Sequence, residues 1–341
     1  MSQEMKIGVL GAANIAKTRM IPTILKTEGA TYAGVAVANA EEYGGAADTY
    51  ADVARANDAK AQEFQEAFGG EVFGSFREML DREDIDIIYL PLPPSLHYKW
   101  GMEVLKAGKH LLMEKPFTLE QAKTEELLKL AEEKNLTVIE NYGFPLHAQF
   151  TKIRELLNDG AIGELRLVRT AFGFPHRAAN DFRYVKEYGG GALFDCGGYC
   201  LKMATQFLKE PVQLLAPSLT VTEGHEVDIN GSATLTDGNM TVQIAFGMDH
   251  AYKCELELWG STGTLTAPRI YTAPADFTPT LTIRSNAGEE TIEAPSDNQF
   301  GKVLERILDA VGDQGKTEEI RKEIRLQADL LTEFAAQCLN D

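Results

Sequence analysis

Lys6-Ile7-Gly8-Val9-Leu10-Gly11-Ala12-Ala13-Asn14-Ile15-Ala16 opens the first regular region of the chain. A short aliphatic run breaks at a glycine-led turn and passes into a helical pattern, the strand, turn and helix in which a helix N-terminus receives a pyrophosphate. Against G-x-G-x-x-G/A, Gly11 and Ala16 fit, while Ala13 holds the place of the second glycine, where a Cβ limits how closely the backbone approaches phosphate. Gly11, Ala13, Asn14, Ile15 and Ala16 are therefore candidates to hold a dinucleotide, against the plainer reading of a tight turn between a strand and a helix.

Outward from this unit the aliphatic runs recur as Thr31–Ala38, Glu71–Phe73, Ile85–Leu90, His110–Met113 and Thr137–Glu140, separated by amphipathic stretches. Such β-α alternation predicts a doubly wound parallel sheet over residues 1–140. Ser95 is placed to cap a helix carrying Leu96, Trp100, Val104 and Leu105 on one face, with Gly108 as its left-handed stop. After Asn141 the pattern changes to longer alternating strands, Glu164–Phe174, Ala233–Thr236 and Met240–Phe246, the last two joined across Asp237-Gly238-Asn239. Further strands flank Gly260-Ser261-Thr262-Gly263, and two helices close the chain, so residues 141–341 read as an α+β domain with a large, mostly antiparallel open sheet. The fold class is α/β in two domains.

The length of 341 residues suits that division, and a net charge of −18 from 33 basic and 51 acidic side chains repels phosphate backbones and anionic lipid faces. Neither nucleic acid nor a membrane is an expected partner. No apolar run approaches the ~18 residues of a membrane span, and the scattered Cys196, Cys200, Cys254 and Cys338 read as reduced thiols, so a cytoplasmic location is expected. The six histidines show no H-x-x-x-H or H-E-x-x-H spacing, so no metal is expected. No G-x-S-x-G elbow or P-loop occurs, against hydrolase and phosphotransferase readings.

The end of the second strand, where an acid reads the adenosine 2′-hydroxyl, carries the uncharged Asn39. A stretch from Ala40 to Ala54 then delays the helix, which resumes at Arg55, and Arg55 is a candidate for a 2′-phosphate as well as an ordinary solvated arginine. The cofactor is NADP or NAD, the missing acid tilting the choice to NADP. At the carboxyl end of the fifth strand stands Glu114-Lys115-Pro116, where proline biases Lys115 to an extended backbone over the cofactor site. Pro91 and His97 follow the fourth strand towards the same place. In Gly189-Gly190-Gly191-Ala192-Leu193-Phe194-Asp195-Cys196-Gly197-Gly198-Tyr199, Asp195 and Tyr199 share a face if a helix starts there, and the glycines leave room for a ligand against the backbone. Read singly, Tyr199 is a packed aromatic and Asp195 an N-cap. His176 and Arg183 lie in the preceding loop, where positive charge suits a phosphorylated sugar.

Taken in order, the glycine loop, Leu90-Pro91-Leu92-Pro93-Pro94-Ser95-Leu96-His97, Glu114-Lys115-Pro116, Gly160-Ala161-Ile162-Gly163-Glu164 and Gly189 to Asp195 make the chain resemble the Gfo/Idh/MocA family of nicotinamide-dependent oxidoreductases over nearly its whole length. The resemblance implies a Rossmann domain and a substrate pocket lined by Lys115, Asp195 and Tyr199. Tyrosine rather than histidine at 199 is similar to the branch with glucose–fructose oxidoreductase, dihydrodiol and xylose dehydrogenases and NDP-hexose 3-ketoreductases, the last also through Asp181-Phe182-Arg183-Tyr184. It implies hydride transfer between nicotinamide and a secondary alcohol or ketone of a sugar or sugar nucleotide, with Tyr199 as proton donor tuned by Lys115 and Asp195 orienting the substrate. Asn141-Tyr142-Gly143-Phe144-Pro145-Leu146-His147 stands where relatives carry an aromatic–Arg–aromatic–His run, so Tyr142 is expected in an altered substrate pocket. The alternatives are an aldose or trans-dihydrodiol dehydrogenase and a regulator that senses nicotinamide or sugar without turnover. A homodimer or homotetramer packed through the second-domain sheet is implied as well.

Overall fold

The computed structural model describes residues 4–43, 50–178 and 181–339. The chain forms two compact units, one of Met1–Thr118, Ala122–Asn141 and Val303–Ile324, the other of Leu119–Gln121, Tyr142–Lys302 and Arg325–Asp341.

The first unit is built on six parallel strands: β1 (Met5–Leu10), β2 (Ala30–Ala36), β3 (Glu71–Phe73), β4 (Ile87–Leu90), β5 (His110–Met113) and β6 (Val138–Glu140). Their order is β3-β2-β1-β4-β5-β6. The reversal lies between β1 and β4, and the crevice at the carboxyl ends there is where open sheets of this kind bind ligands. Ile7, Val9, Leu10, Ile87, Ile88, Leu111 and Leu112 are fully buried, as strands covered on both faces require. Each strand begins and ends within two residues of its expected limits.

Two helix starts differ from expectation. The helix Pro94–Lys106 begins two residues early, with Pro93 as its cap, Pro94 in its first turn and Ser95 inside it, because proline's fixed φ and missing N–H suit that position. Gly108 beyond it is left-handed, φ +76°. The helix after β2 runs Tyr50–Phe68, so Arg55 lies within it and not at its start, where its Nε donates back to the Ala51 carbonyl at 3.2 Å. Residues 44–49 of the Ala40–Ala54 stretch lie outside the described residues.

The second unit holds eight strands: β7 (Leu165–Gly173), β8 (Gln213–Val221), β9 (Asp228–Thr236), β10 (Thr241–Gly247), β11 (Lys253–Gly260), β12 (Gly263–Ala267), β13 (Thr280–Ser285) and β14 (Gly288–Glu293). The order is β14-β13-β12-β11-β7-β10-β9-β8, antiparallel except where β7 meets β10. The β9–β10 hairpin turns at Asp237, whose carboxylate accepts from the Asn239 and Met240 backbone N–H groups at 2.9 and 2.8 Å. Val168, Phe172, Val242, Ile244, Phe246, Leu256 and Leu258 alternate onto one face and form a core with Phe150, Ile153, Leu201 and Phe334. The other face carries Arg169, which bonds Gln243 and Glu257 and lies over the half-exposed Trp259 ring. Among the described residues no helix is long and apolar enough to cross a membrane.

Candidate active site

In the first unit the glycine turn sits at the carboxyl end of β1, beside the reversal point. Gly11 has φ +104°, a backbone angle that strains any other residue, and a Cβ there would stand 2.7 Å from a methyl of the Leu92 side chain. Ala13 N–H bonds the Gly11 carbonyl at 2.9 Å, and helical backbone begins at Asn14, with a π-helical segment at Ala16–Met20. Asn14 is exposed, Ala13 and Ile15 half-buried and Ala16 buried. A tight turn delivering helix N–H groups at the reversal point fits a dinucleotide's pyrophosphate. Asn39 does not reach outward: its Oδ1 accepts from Glu41 N and Glu42 N at 3.0 Å each, closing its own turn.

The loop after β5 is held from several sides. Glu114 Oε1 accepts from Tyr89 Oη and Asn141 Nδ2, both at 2.6 Å, so the carboxylate braces the loop. Lys115 is half-buried, and its bond to Pro116 is cis. Pro91 is buried at the end of β4. His97, expected along the cofactor cleft, is instead fully buried, with Nδ1 2.7 Å from the Pro116 carbonyl and Nε2 2.8 Å from that of Leu92. Burial pushes its imidazole down to about 4, with the charge of Lys115 adding to the shift against the pull of the two carbonyls. The ring ties the loops after β4 and β5 together and has no nitrogen left for a ligand.

In the second unit Asp195 and Tyr199 stand on consecutive turns, but the first is π-helical, Leu193–Gly197, leading into the α-helix Gly198–Ala204. Such turns recur at functional sites because they re-aim side chains. Within 191–200 every residue is buried except Phe194, Asp195 and Tyr199. Tyr199 is set in a ring of aromatics: Tyr142 and Phe172 meet it edge-on at centroid distances of 5.0 and 5.1 Å, with Tyr271 at 5.6 Å and Phe144 at 6.2 Å. Each such pair is worth about 1 kcal/mol beyond its area, so the ring is firmly oriented. Tyr142, expected in the substrate pocket, is 3% exposed and packs beneath Tyr199. His147 caps the helix Ala148–Asn158, accepting from Gln149 N–H at 3.0 Å.

The glycine run does not leave the room the sequence promised. A Cβ on Gly190 would overlap the Arg183 carbonyl, and one on Gly191, at φ +118°, would overlap the Asp228 carboxylate. The space is filled by the chain itself. Arg183, expected to meet a phosphate, instead bonds Asp195 and Asp181. Burial opposes its charge and the two carboxylates outweigh that, keeping the guanidinium above its ordinary value. His176 is exposed and stacks on Tyr184 at 4.7 Å.

Residues 5–142 match the family model described as "Oxidoreductase family, NAD-binding Rossmann fold", and residues 150–266 match the "GFO/IDH/MocA C-terminal domain". The chain belongs to the Gfo/Idh/MocA family. It is 36% identical over 314 residues, 92% of this chain and 86% of the relative, to the dTDP-3,4-didehydro-2,6-dideoxy-α-D-glucose 3-reductase of Streptomyces violaceoruber. Among solved structures it is similar to KijD10, a 3-ketoreductase from Actinomadura kijaniata in complex with NADP and TDP-benzene, with a TM-score of 0.89 at 31% identity over 98% of both chains. An aldose-aldose oxidoreductase from Caulobacter crescentus shares the fold alone, at TM-score 0.80 and 19% identity.

Two residues of this Gfo/Idh/MocA protein that sequence reading missed do much of the positioning. Glu42, 8% exposed, accepts from Asn39 N at 3.1 Å and from Phe76 N and Arg77 N at 2.8 Å each, so an acid does follow β2 but is engaged by backbone. Asp228, 3% exposed, accepts from Leu193 N at 2.7 Å and so fixes the turn that leads to Asp195 and Tyr199. Burial pushes its carboxyl up to about 6 against the pull of the Leu193 and Ala192 N–H groups. Their only signal in the sequence is an acid beside a strand end, which many surface acids share.

Proposed function

We propose that this protein is an NADPH-dependent reductase of a ketone on a nucleoside-diphosphate sugar, acting at ring position 3. The observation that carries this is the 36% identity, sustained along 92% of the chain, to a dTDP-sugar 3-reductase. NADP is supported by the end of β2, where Asn39 is uncharged and the Glu42 carboxylate is turned to backbone N–H groups, and by the NADP bound in KijD10.

The glycine turn with Ala13, Asn14 and Ile15 would hold the pyrophosphate, and bound nicotinamide supplies the hydride. Tyr199 then donates its hydroxyl proton to the substrate oxygen as that oxygen becomes an alkoxide. The Lys115 ammonium stabilises the negative charge that develops there, and Asp195 orients the neighbouring substrate hydroxyl. The firm aromatic packing of Tyr199 supports the role, because a donor held in one orientation spends little entropy in reaching its acceptor.

Mixing the purified protein with NADPH or NADH and dTDP-linked 3-keto sugars or free keto sugars, and with NADP or NAD and free aldoses, tests the proposal. Nicotinamide absorbance should fall with the nucleotide keto sugar and fall faster with NADPH. Oxidation of a free aldose with NADP as the only activity would make it a dehydrogenase, and cofactor binding without turnover on the whole panel would make it a regulator.

A second copy covering the outer face of the eight-stranded sheet belongs to the same proposal. Trp259 there is 47% exposed, a large apolar side chain open to solvent. Sedimentation should return a dimer or tetramer, and Trp259→Glu should shift it towards monomer; a wild-type monomer at micromolar concentration would remove this part.

A further inference from the structure

Arg183 closes a small ionic cluster on the turn that delivers Asp195 and Tyr199. Its Nε donates to Asp195 Oδ2 at 2.8 Å and its Nη1 to Asp181 Oδ1 at 3.1 Å. Its backbone N–H also reaches Asp181 Oδ1 at 3.1 Å, and its carbonyl accepts from Gly191 N–H at 2.9 Å. The side chain is 21% exposed, those of Asp195 and Asp181 are 12% and 18%. Its guanidinium lies over the Phe182 ring, 4.6 Å from the centroid. One residue therefore grips the turn twice, through the backbone at Gly191 and through the side chain at Asp195.

Two carboxylates on one guanidinium leave the cluster with a net negative charge, which a substrate diphosphate would meet there together with the guanidinium. At these exposures the charges are only partly screened, so that charge opposes a second anion. Arginine also suits the task better than lysine, because its fork spans two carboxylates at once.

We propose that Arg183 is a positioning residue for ketone reduction, holding the Asp195 carboxylate in place one turn before Tyr199, and is not a ligand of the substrate's phosphates. This rests on the reading that Asp195 and Tyr199 meet the substrate. Its consequence is specific: whatever Arg183 contributes to turnover passes through Asp195.

A double-mutant cycle on the full-length protein tests it, with Arg183→Met, Asp195→Asn and both together, assayed on a dTDP-linked 3-keto sugar at saturating NADPH. Misplacing a reacting group by about 1 Å costs ~10²-fold, so each single variant should lose roughly 10- to 100-fold in kcat. Arg183→Met should keep its KM within about threefold, and the double variant should fall no more than about threefold below Asp195→Asn. Arg183→Lys, which keeps the charge and guards against a misfolded methionine variant, should recover part of the lost kcat. Losses that multiply in the double variant would overturn the proposal, as would an Arg183→Met that raises KM at unchanged kcat, the mark of a phosphate ligand. A wild type that turns over no keto sugar removes the functional reading and the positioning role with it; a wild type that turns over while the losses multiply removes the positioning role alone.

Discussion

Replacing Tyr199 by Phe is expected to lower kcat by ~10²–10⁴-fold, the range that a positioned proton donor contributes. The substitution removes only the hydroxyl. The ring keeps its edge-on contacts with Tyr142 and Phe172 and its neighbours Tyr271 and Phe144, so the second unit should unfold at the wild-type temperature within a degree or two. Affinity for NADPH, followed by fluorescence titration, should be unchanged, because the turn proposed to hold the pyrophosphate is built from Gly11 to Ala16 and keeps every one of its groups. A loss of kcat with KM and melting temperature held is the signature of an interaction made in the transition state alone. A variant that keeps kcat within about threefold would show that the proton comes from elsewhere, from water or from Lys115, and that Tyr199 serves as a packed aromatic.

What could be read from the sequence was what is local. The aliphatic runs of β1 to β6 and the hairpin at Asp237 each lie within a few residues of chain, and their pattern reports burial directly. The order of motifs from Gly11 to Asp195 was legible for the same reason, since each is a short contiguous word. β8 was not, because Pro217 interrupts it and, as an edge strand, it has few buried side chains. The misreadings at the site share one cause, a partner distant in the chain. His97 follows the fourth strand towards the cofactor site in sequence, but Pro116 and Leu92 close on both its ring nitrogens. Arg183 looked like a free cation, but Asp195, twelve positions on, occupies it. The glycines at 189–191 looked like an opening, whereas Asp228, which touches Leu193 across 35 positions, fills it. The π-helical turn at Leu193–Gly197 has no sequence signature at all, since it differs from an α-helical turn only in which carbonyl each N–H finds.

Gly191→Ala carries the largest expected effect on stability, and it tests whether that filled space matters. At φ +118° an L-side chain is strained, a cost of about 1–3 kcal/mol. The new methyl would also overlap Asp228 Oδ1, and the carboxylate that yields must release the Leu193 N–H it holds at 2.7 Å. Uncovering a buried donor adds about 1–3 kcal/mol more. The turn has no easy retreat, because Gly191 N–H is bound to Arg183 and its carbonyl to Asp195 N–H at 3.1 Å. A total near ~3 kcal/mol is expected, read as a drop of several degrees in the melting temperature of the variant. Because the same turn sets Asp195 and Tyr199, kcat should fall as well, while NADPH affinity holds. The two effects separate in Asp228→Asn, whose amide oxygen still accepts from Leu193 and leaves the glycine undisturbed, so it should retain more activity than Gly191→Ala. An alanine variant with wild-type melting temperature and kcat would mean that the turn opens around a methyl without cost, and that Asp228 does not hold the site in place.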